Sequence, residues 1–489
     1  MGSVNLGDAP RTPAAASRRG TDFLQLDPAA APARGLTTWL ADQLRAAIID
    51  GRLRPGAALP ATRILADELG VSRGIVVEAY QRLKDEGMVQ ARRGAGSIVT
   101  ARPATEPAAT EPAPTRVPFL PRRWRADADI DLSPGVPDLS GFPRAAWLRA
   151  ERTVFNQASA ADLGYGDPRG SYQLRHELVG WLARVRGLRA QPEDIIIVAG
   201  VAQALALLAQ WLRDHGRPLI AVEDPGSRGA RDELAYWGLK PVPVSVDEHG
   251  LQADELAKAG RDVRSVLLTP AHQFPTGAVL APERRRSLVS WAAAIDALII
   301  EDDYDAEYRY DRTPVPAMHA SDPSHVAYTG SVSKTLAPGL RLGWLIPPAP
   351  LHTDLVTAKH ASDLGSPALP QLVLAQLIAS GDLEHHIRQA RRRLRGRRDA
   401  LLAAVRDHLP GAEVHGIAAG LHVLITFPRL AGQVRDTDLA DRIREAGVLV
   451  QPLSVHGERS EVPSLVMGYA AHTADQLRTA VSRIGRVLS

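Results

Sequence analysis

Apolar positions along the chain follow two different periods. From Leu36 onward, Leu40, Leu44, Ala47 and Ile48 recur at the spacing of one helix face, and the run stops at Asp50-Gly51. Thr62 to Leu69 reads as a short helix that Thr62 can cap and Gly70 ends, and Ser72 can cap a second with Ile75, Val76, Ala79 and Leu83 on its apolar face. Two short helices joined by a tight glycine turn predict a helix-turn-helix. The glycine-rich stretch 90–100 after them predicts a two-stranded wing.

Further on the pattern changes. YGDPRG (165–170) leads into a helix with Leu174, Leu178, Leu182 and Val185 on one face. Unbroken apolar runs then follow at 195–198 (IIIV), 219–224 (LIAVED), 263–269 (VRSVLLT), 297–302 (ALIIED), 325–330 (HVAYTG) and 342–346 (LGWLI), separated mostly by helical or loop segments. Apolar residues at consecutive positions suit strands covered on both faces. The second fold is therefore an α/β sheet, with its ligand crevice at the strand carboxyl ends.

Composition divides the chain around these patterns. Residues 1–34 mix Ala, Pro, Gly and Arg without period and read as a flexible arm; 35–101 hold the winged helix-turn-helix; the Ala-, Thr-, Glu- and Pro-rich stretch 102–121 reads as a semi-rigid linker; 122–489 form the α/β body. With 45% hydrophobic and 23% charged residues, a chain of 489 has ample material for two cores. The absence of cysteine excludes disulfides, thiolate metal sites and Cys nucleophiles. No apolar run approaches the roughly 18 residues of a membrane helix, and the N-terminus lacks the apolar core of a secretory signal, so a cytoplasmic protein is expected. A net charge of +3 is too small to announce nucleic acid, so any such binding rests on local patches.

One such patch is the winged region. Arg63 and Arg73 stand at the starts of the two short helices, where a cation and a positive dipole end suit phosphate or guanine; Arg92 and Arg93 precede Gly94 at the wing tip, where the backbone can approach a groove. Nine basic against seven acidic residues over 36–100 leave the region nearly neutral, which a protein-binding winged helix also fits. The Arg-rich stretch 384–398 offers Arg391, Arg392 and Arg393 as a further backbone contact, or simply a solvated helix face.

The α/β body carries the covalent chemistry. Only five lysines occur among 58 basic residues, and an arginine cannot replace a lysine that must form an imine. In YTGSVSKTLAPGLRLGW (328–344), Lys334 lies among Ser331, Ser333 and Thr335, with Arg341 seven positions on: an amine for an aldehyde and a guanidinium for a phosphate, which is what pyridoxal 5′-phosphate (PLP) requires. Alone, this pattern also fits a solvated lysine in a serine-rich turn. ALIIEDDYDAEY (297–308) adds Asp302, a carboxylate for a pyridinium nitrogen, and Tyr304, a phenol for the ring's O3′. In AGVAQ, Gly200 precedes a helix whose amides at Ala202 and Gln203 suit a phosphate. His272, in the turn TPAHQFPTG, is expected to bond locally.

LPATRILADELGVSRGIVVEAYQRL (59–83) with ARRGAGSIV resembles the winged helix-turn-helix of the GntR superfamily. The order YGDPRG, AGVAQ, EDPGSRGAR, TPAHQFPTG, EDDYDAEY and GSVSK, with Arg341, resembles the fold-type I PLP-dependent aminotransferases. Joined in this order, the two resemble MocR-type transcriptional regulators, some of which control vitamin B6 synthesis. The resemblance implies a Schiff base between Lys334 and PLP, Asp302 on the pyridine nitrogen, Tyr304 at O3′, and Ala202, Gln203, Ser331, Ser333 and Arg341 at the phosphate. It further implies operator DNA contacts through Arg63, Ser72, Arg73, Arg92, Arg93 and Gly94, and a head-to-tail homodimer. Two positions depart from the aminotransferase pattern: Ser227 replaces an aromatic, and Val466 replaces the arginine that anchors a substrate carboxylate. Weak or absent transaminase activity is expected, with PLP itself or an amine such as GABA or taurine as effector. Arg228 and Arg231 are candidate effector contacts. A working aminotransferase with an accessory DNA-binding domain is the alternative.

Overall fold

The structure, a computed structural model, describes residues 26–32, 35–92, 96–100, 128–260, 262–310, 315–457 and 462–488. Most of the expected arm, the whole expected linker, Arg93 and Gly94 lie outside the described residues. The chain divides into two units, Met1–Arg122 and Arg123–Ser489.

In the first unit, α1 (Leu36–Ile49), α2 (Thr62–Leu69) and α3 (Arg73–Asp85) precede the hairpin β1 (Val89–Arg92) and β2 (Gly96–Val99). Leu40, Leu44, Ala47 and Ile48 of α1 pack with Leu65, Val76, Ala79 and Leu83, as the helical period predicts. Tyr80 joins this core unforeseen, and its hydroxyl donates to the Pro60 carbonyl at 3.0 Å, which satisfies the polar tip of a buried ring. Gly70, at φ 64°, ends α2 in the left-handed region and turns the chain into α3. The capping expectation needs correction: Ala61 holds the N-cap of α2, with Thr62 already helical. Ser72 holds the N-cap of α3 without a side-chain bond to it. Neither helix thus has a side-chain cap on its first-turn amides.

The second unit opens with β3 (Ile130–Asp131), α4 (Arg144–Gln157) and α5 (Tyr172–Arg186). β4 (Ile196–Val198), β5 (Leu219–Asp224), β6 (Lys240–Asp247), β7 (Gly250–Leu251), β8 (Ser265–Leu268), β9 (Leu298–Asp303), β10 (Val326–Ser331) and β11 (Gly343–Ile346) build one sheet in the order β4-β11-β10-β9-β8-β5-β6-β7. The pairs from β10 through β9, β8 and β5 to β6 are parallel, whereas β11 runs antiparallel to both β10 and β4. All six apolar runs are strands of this sheet. β6 escaped the hydrophobic pattern because Pro241 and Pro243 lie within it; they fit since β7 pairs only with Val246 and Asp247, leaving one edge of the early strand free of ladder bonds.

Helices cover both faces of the sheet. α6 (Val201–Asp214) packs Leu205, Leu208 and Leu212 on the side of Ile196, Val198, Ile300 and Leu345. On the other side α5 packs against Ile197, Tyr328 and Trp344, where Trp181 meets Trp344 edge-on. α7 (Arg228–Tyr236), α8 (Ala253–Lys258), α9 (Pro282–Ile295), α10 (Ala349–Asp363) and α11 (Ala368–Ala379) complete the layers. The long α12 (Asp382–His408), with α13 (Asp436–Glu445) and α14 (Ala474–Leu488), leads into a smaller sheet of β12 (Glu413–His415), β13 (His422–Thr426), β15 (Gln451–Pro452) and β16 (Ser464–Gly468), while β14 (Val448–Leu449) pairs with β3. Val423, Ile425, Leu465 and Met467 enter the core under α12 and α14. By the strand period of two, His422, Leu424 and Val466 point to the opposite face.

Candidate functional site

Cations of the winged unit sort into two groups. Arg45 pairs with Glu86 at 2.5 Å, Arg52 with Asp50 at 2.8 Å and Arg82 with Glu78 at 3.4 Å. Arg63, Arg73 and Arg92 are exposed and have no ion pair among the described residues, and Ser72 is exposed beside Arg73. Arg63 and Arg73 stand in the first turns of α2 and α3, where amides without a side-chain cap and a guanidinium together suit a phosphate or a base edge.

In the body, strand alternation sorts the acids at the end of β9. Glu301 accepts from the His319 amide at 3.2 Å; Asp303 pairs with the buried Arg186 at 2.5 Å and accepts from the Tyr328 hydroxyl at 2.5 Å. Asp302 and Tyr304 point the other way. Asp302 Oδ1 is buried with no hydrogen-bond partner among the described residues. Burial, then the negative Asp303, push its carboxyl up to about 7, while the Lys334 ammonium opposes the rise. Such an oxygen suits a cationic N–H donor.

Lys334 follows β10, and its Nζ donates to the Gly135 carbonyl at 2.5 Å. Gly135 sits at φ 84°, and a Cβ there would stand 3.3 Å from Nζ. The segment DLSPGVP (131–137), whose one local signal is a Pro-Gly turn, thus belongs to the site although no sequence pattern placed it there. Tyr304 brings its hydroxyl within 3.1 Å of His272 Nδ1. Burial and the nearby Asp305, Asp302 and Glu223 push the phenol well above its ordinary range, so it stays an O–H donor. Beside them Glu223 accepts from the Thr269 hydroxyl at 2.7 Å, and burial pushes it up to about 7.

The phosphate end forms where β4 meets α6. Gly200, at φ 83°, lets the Arg341 guanidinium close onto the Ala199 carbonyl: a Cβ at Gly200 would sit 3.0 Å from Arg341 Nη2. Ala202 is exposed in the first turn of α6, where amides lack an intrahelical acceptor. Gln203 plays a different part from the one its position predicts. Its amide donates to Gly200 O at 3.1 Å, its Oε1 accepts from the Ala199 amide at 2.7 Å, and its Nε2 donates to Asp363 at 2.8 Å, so it locks the turn that shapes the cradle. Asp363 in turn accepts from the fully buried Lys359 at 2.9 Å, a network no local pattern announced. Ser331 is buried, and its Oγ accepts from the Ser333 amide at 3.3 Å.

Several expectations change. Ser227 caps α7, its Oγ accepting from the Ala230 amide at 3.2 Å. Arg228 pairs with Asp232 at 3.3 Å and Arg231 with Asp224 at 3.6 Å, so both candidate effector contacts already face carboxylates. His272 bonds across the fold instead of locally, 3.0 Å from Asp305. In α12 only Arg392 of the three arginines is exposed: Arg391 donates to the Glu307 carbonyl, and Arg393 holds Asp138 at 3.1 Å. Val466 is fully buried, paired with Leu424 and Gln451.

A buried acceptor oxygen, a neighbouring amine, a phenol that keeps its proton and a cradle of amides beside a guanidinium match the four corners of PLP. Comparison with known proteins agrees. The description "Aminotransferase class I and II" fits residues 128–484, and "Bacterial regulatory proteins, gntR family" fits residues 36–99. The chain belongs to the class I and II aminotransferase family, fused behind a gntR-family domain. It is a DNA-binding, PLP-binding transcriptional regulator of the MocR type. It is 34% identical to the HTH-type pyridoxine biosynthesis transcriptional regulator PdxR of Corynebacterium glutamicum, over 93% of this chain and 96% of that one. With the probable rhizopine catabolism regulatory protein MocR of Rhizobium meliloti it shares 31% identity, covering 91% and 92%. Among solved structures, Pyrococcus horikoshii kynurenine aminotransferase superposes with a TM-score of 0.68 at 25% identity, covering 74% of this chain and 91% of that one. No helix among the described residues is long and apolar enough to cross a membrane.

Proposed function

We propose that the protein senses PLP through its aminotransferase-like body and changes its hold on operator DNA accordingly, as part of the control of vitamin B6 synthesis. The orphan Asp302 Oδ1 beside Lys334 carries this reading, because a buried acceptor without a donor is costly until a ligand supplies one. The PdxR relative, whose name refers to pyridoxine biosynthesis, supports it.

Bound PLP supplies an aldehyde and an electron-withdrawing ring. Lys334 offers the amine, Asp302 takes the ring N–H, and the Tyr304 hydroxyl donates toward the phenolic oxygen. Arg341, Ser331 and Ser333 hold the phosphate with the amide at Ala202, and Gln203 serves it through the turn that it locks. In the winged domain, Arg63, Ser72, Arg73, Arg92, Arg93 and Gly94 contact DNA. In this reading the chain is organised as an arm 1–34, a winged domain 35–101, a linker 102–121 and a body 122–489, in a cytoplasmic protein. Weak or absent transamination accords with an apolar Val466 on the face of β16 that points away from the α12–α14 core. A head-to-tail homodimer accords with the exposed apolar side chains Leu148, Phe155, Leu163 and Tyr165.

PLP alters transcription only if it binds one arrangement of the protein better than another. Operator affinity is therefore expected to differ between cofactor-free and PLP-loaded protein with no amine added, and Lys334→Ala to blunt the difference. Equal affinities would overturn the reading. The buried His422, whose Nε2 has no partner among the described residues, favours a second one: an amine such as GABA or taurine is the signal. In that case only added amine moves both absorbance and affinity. Arg228 and Arg231 would serve such an effector only by leaving their present carboxylates.

A further inference from the structure

His272 and Asp305 are almost wholly buried, 3% and 1% exposed, and the cofactor contacts proposed above use neither. Nδ1 of His272 lies 3.0 and 3.1 Å from the two Asp305 oxygens and 3.1 Å from the Tyr304 hydroxyl. A carboxylate only accepts, so the proton between the pair belongs on Nδ1. A ring nitrogen that carries a proton has no lone pair to offer. Tyr304 therefore cannot donate to His272, and its oxygen must be the acceptor in that 3.1 Å contact, sharing the N–H with Asp305. The hydroxyl proton of Tyr304 is left for some other acceptor.

The surroundings keep this arrangement in place. Gly420 walls in the pair: a Cβ there would come within 2.1 Å of His272 Cε1 and 2.8 Å of Asp305 Oδ2. The Gly420 backbone is itself tied down, its carbonyl accepting from the Tyr310 and Tyr469 hydroxyls at 2.6 Å each and its amide donating to Tyr308 O at 2.8 Å. The groups acting on the Tyr304 hydroxyl are the acids Asp305, Asp302 and Glu223 and the Tyr469 phenol, besides His272.

We propose that His272, held by Asp305, is a positioning residue for the cofactor: it occupies the Tyr304 oxygen as a donor and so turns the Tyr304 hydroxyl proton toward the phenolic oxygen of the bound pyridoxal ring. This rests on the PLP site proposed above and deepens it. A donor onto that oxygen stabilises its negative form, so the bound cofactor gives up its proton at lower pH.

The test is a pH titration of the visible band of full-length, PLP-loaded protein. Tyr304→Phe is expected to raise the midpoint by about one unit, the size of one hydrogen bond to a charged group. His272→Phe should raise it in the same direction, His272→Gln should recover part of the shift through its amide N–H, and His272→Phe should add nothing to Tyr304→Phe. A wild-type midpoint in His272→Phe overturns the proposal, as does an equal further shift in the double variant. Should His272→Phe fail to fold, nitrogen NMR of the wild-type imidazole decides: the proposal requires a proton on Nδ1, and a His272 protonated on Nε2 alone overturns it. A wild-type protein that gains no visible band with PLP sinks the cofactor site, and this inference with it; a band that titrates alike in wild type and His272→Phe sinks only this inference.

Discussion

The two units keep their functional side chains in opposite surroundings. In the winged unit, Arg63, Arg73 and Arg92 stand in solvent while the core of Leu40, Leu44, Val76 and Leu83 lies behind them. In the body, Asp302 Oδ1, His272 and Asp305 are buried, and Asp302 and Glu223 are both pushed up to about 7. A solvated guanidinium can be removed with little effect on the fold. A buried carboxyl is tied to everything around it, so changing it alters stability and ligand binding together. Recognition of DNA and recognition of a cofactor should therefore fail in different ways.

The largest effect expected is from Lys334→Ala, which should abolish the visible absorbance of PLP-treated protein while operator-length DNA still binds. Loss of DNA binding by the cofactor-free variant would show that the two recognition functions are not separable. Asp302→Asn comes next. It removes a charge-assisted bond worth about 1.5–3 kcal/mol, so PLP should bind roughly 10- to 150-fold more weakly, read by absorbance titration.

The same substitution bears on pH. Asp302 and Glu223 hold their protons more tightly folded, at about 7, than at their ordinary 3.8 and 4.5. Their stabilising contribution is complete below about 4 and lost as pH rises to about 7. Cofactor-free protein should accordingly melt lower at about pH 8 than at about pH 5, and Asp302→Asn should narrow the gap. A gap of wild-type size in the variant would remove Asp302 from the account.

On the winged side, Arg73→Ala should weaken specific operator binding by ~1–3 kcal/mol if it reads a base edge, with an unchanged melting temperature. Equal loss on operator and random DNA would make it a phosphate contact. The smallest effect is expected within α12. Arg392→Gln should leave melting unchanged and move the salt slope of DNA binding by no more than about one. Arg393→Gln, which leaves the nearly buried Asp138 with Arg397, at 3.2 Å, as its remaining arginine partner, should lower the melting temperature instead.

Local chemistry was legible in the residues themselves. The helical period predicted the winged helices, unbroken apolar runs predicted six strands, and the position of Asp302 and Tyr304 at the carboxyl end of one such run marked them as site residues. Lys334 stood out because lysine is rare in this chain and its neighbours are small. Each of these signals acts between residues a few positions apart, where backbone geometry fixes who faces whom.

Tertiary structure decided which distant groups meet. Lys334 finds its carbonyl 199 residues away at Gly135, Gln203 reaches Asp363 across 160, and His272 meets Asp305 across 33. Arg391 and Arg393 turn inward although their run reads as one charged face, because carbonyl and carboxylate partners from other elements wait there. No period or spacing encodes such meetings. They follow from how the layers pack around the sheet, since a buried donor or acceptor is tolerated only where another element, or a ligand, completes it.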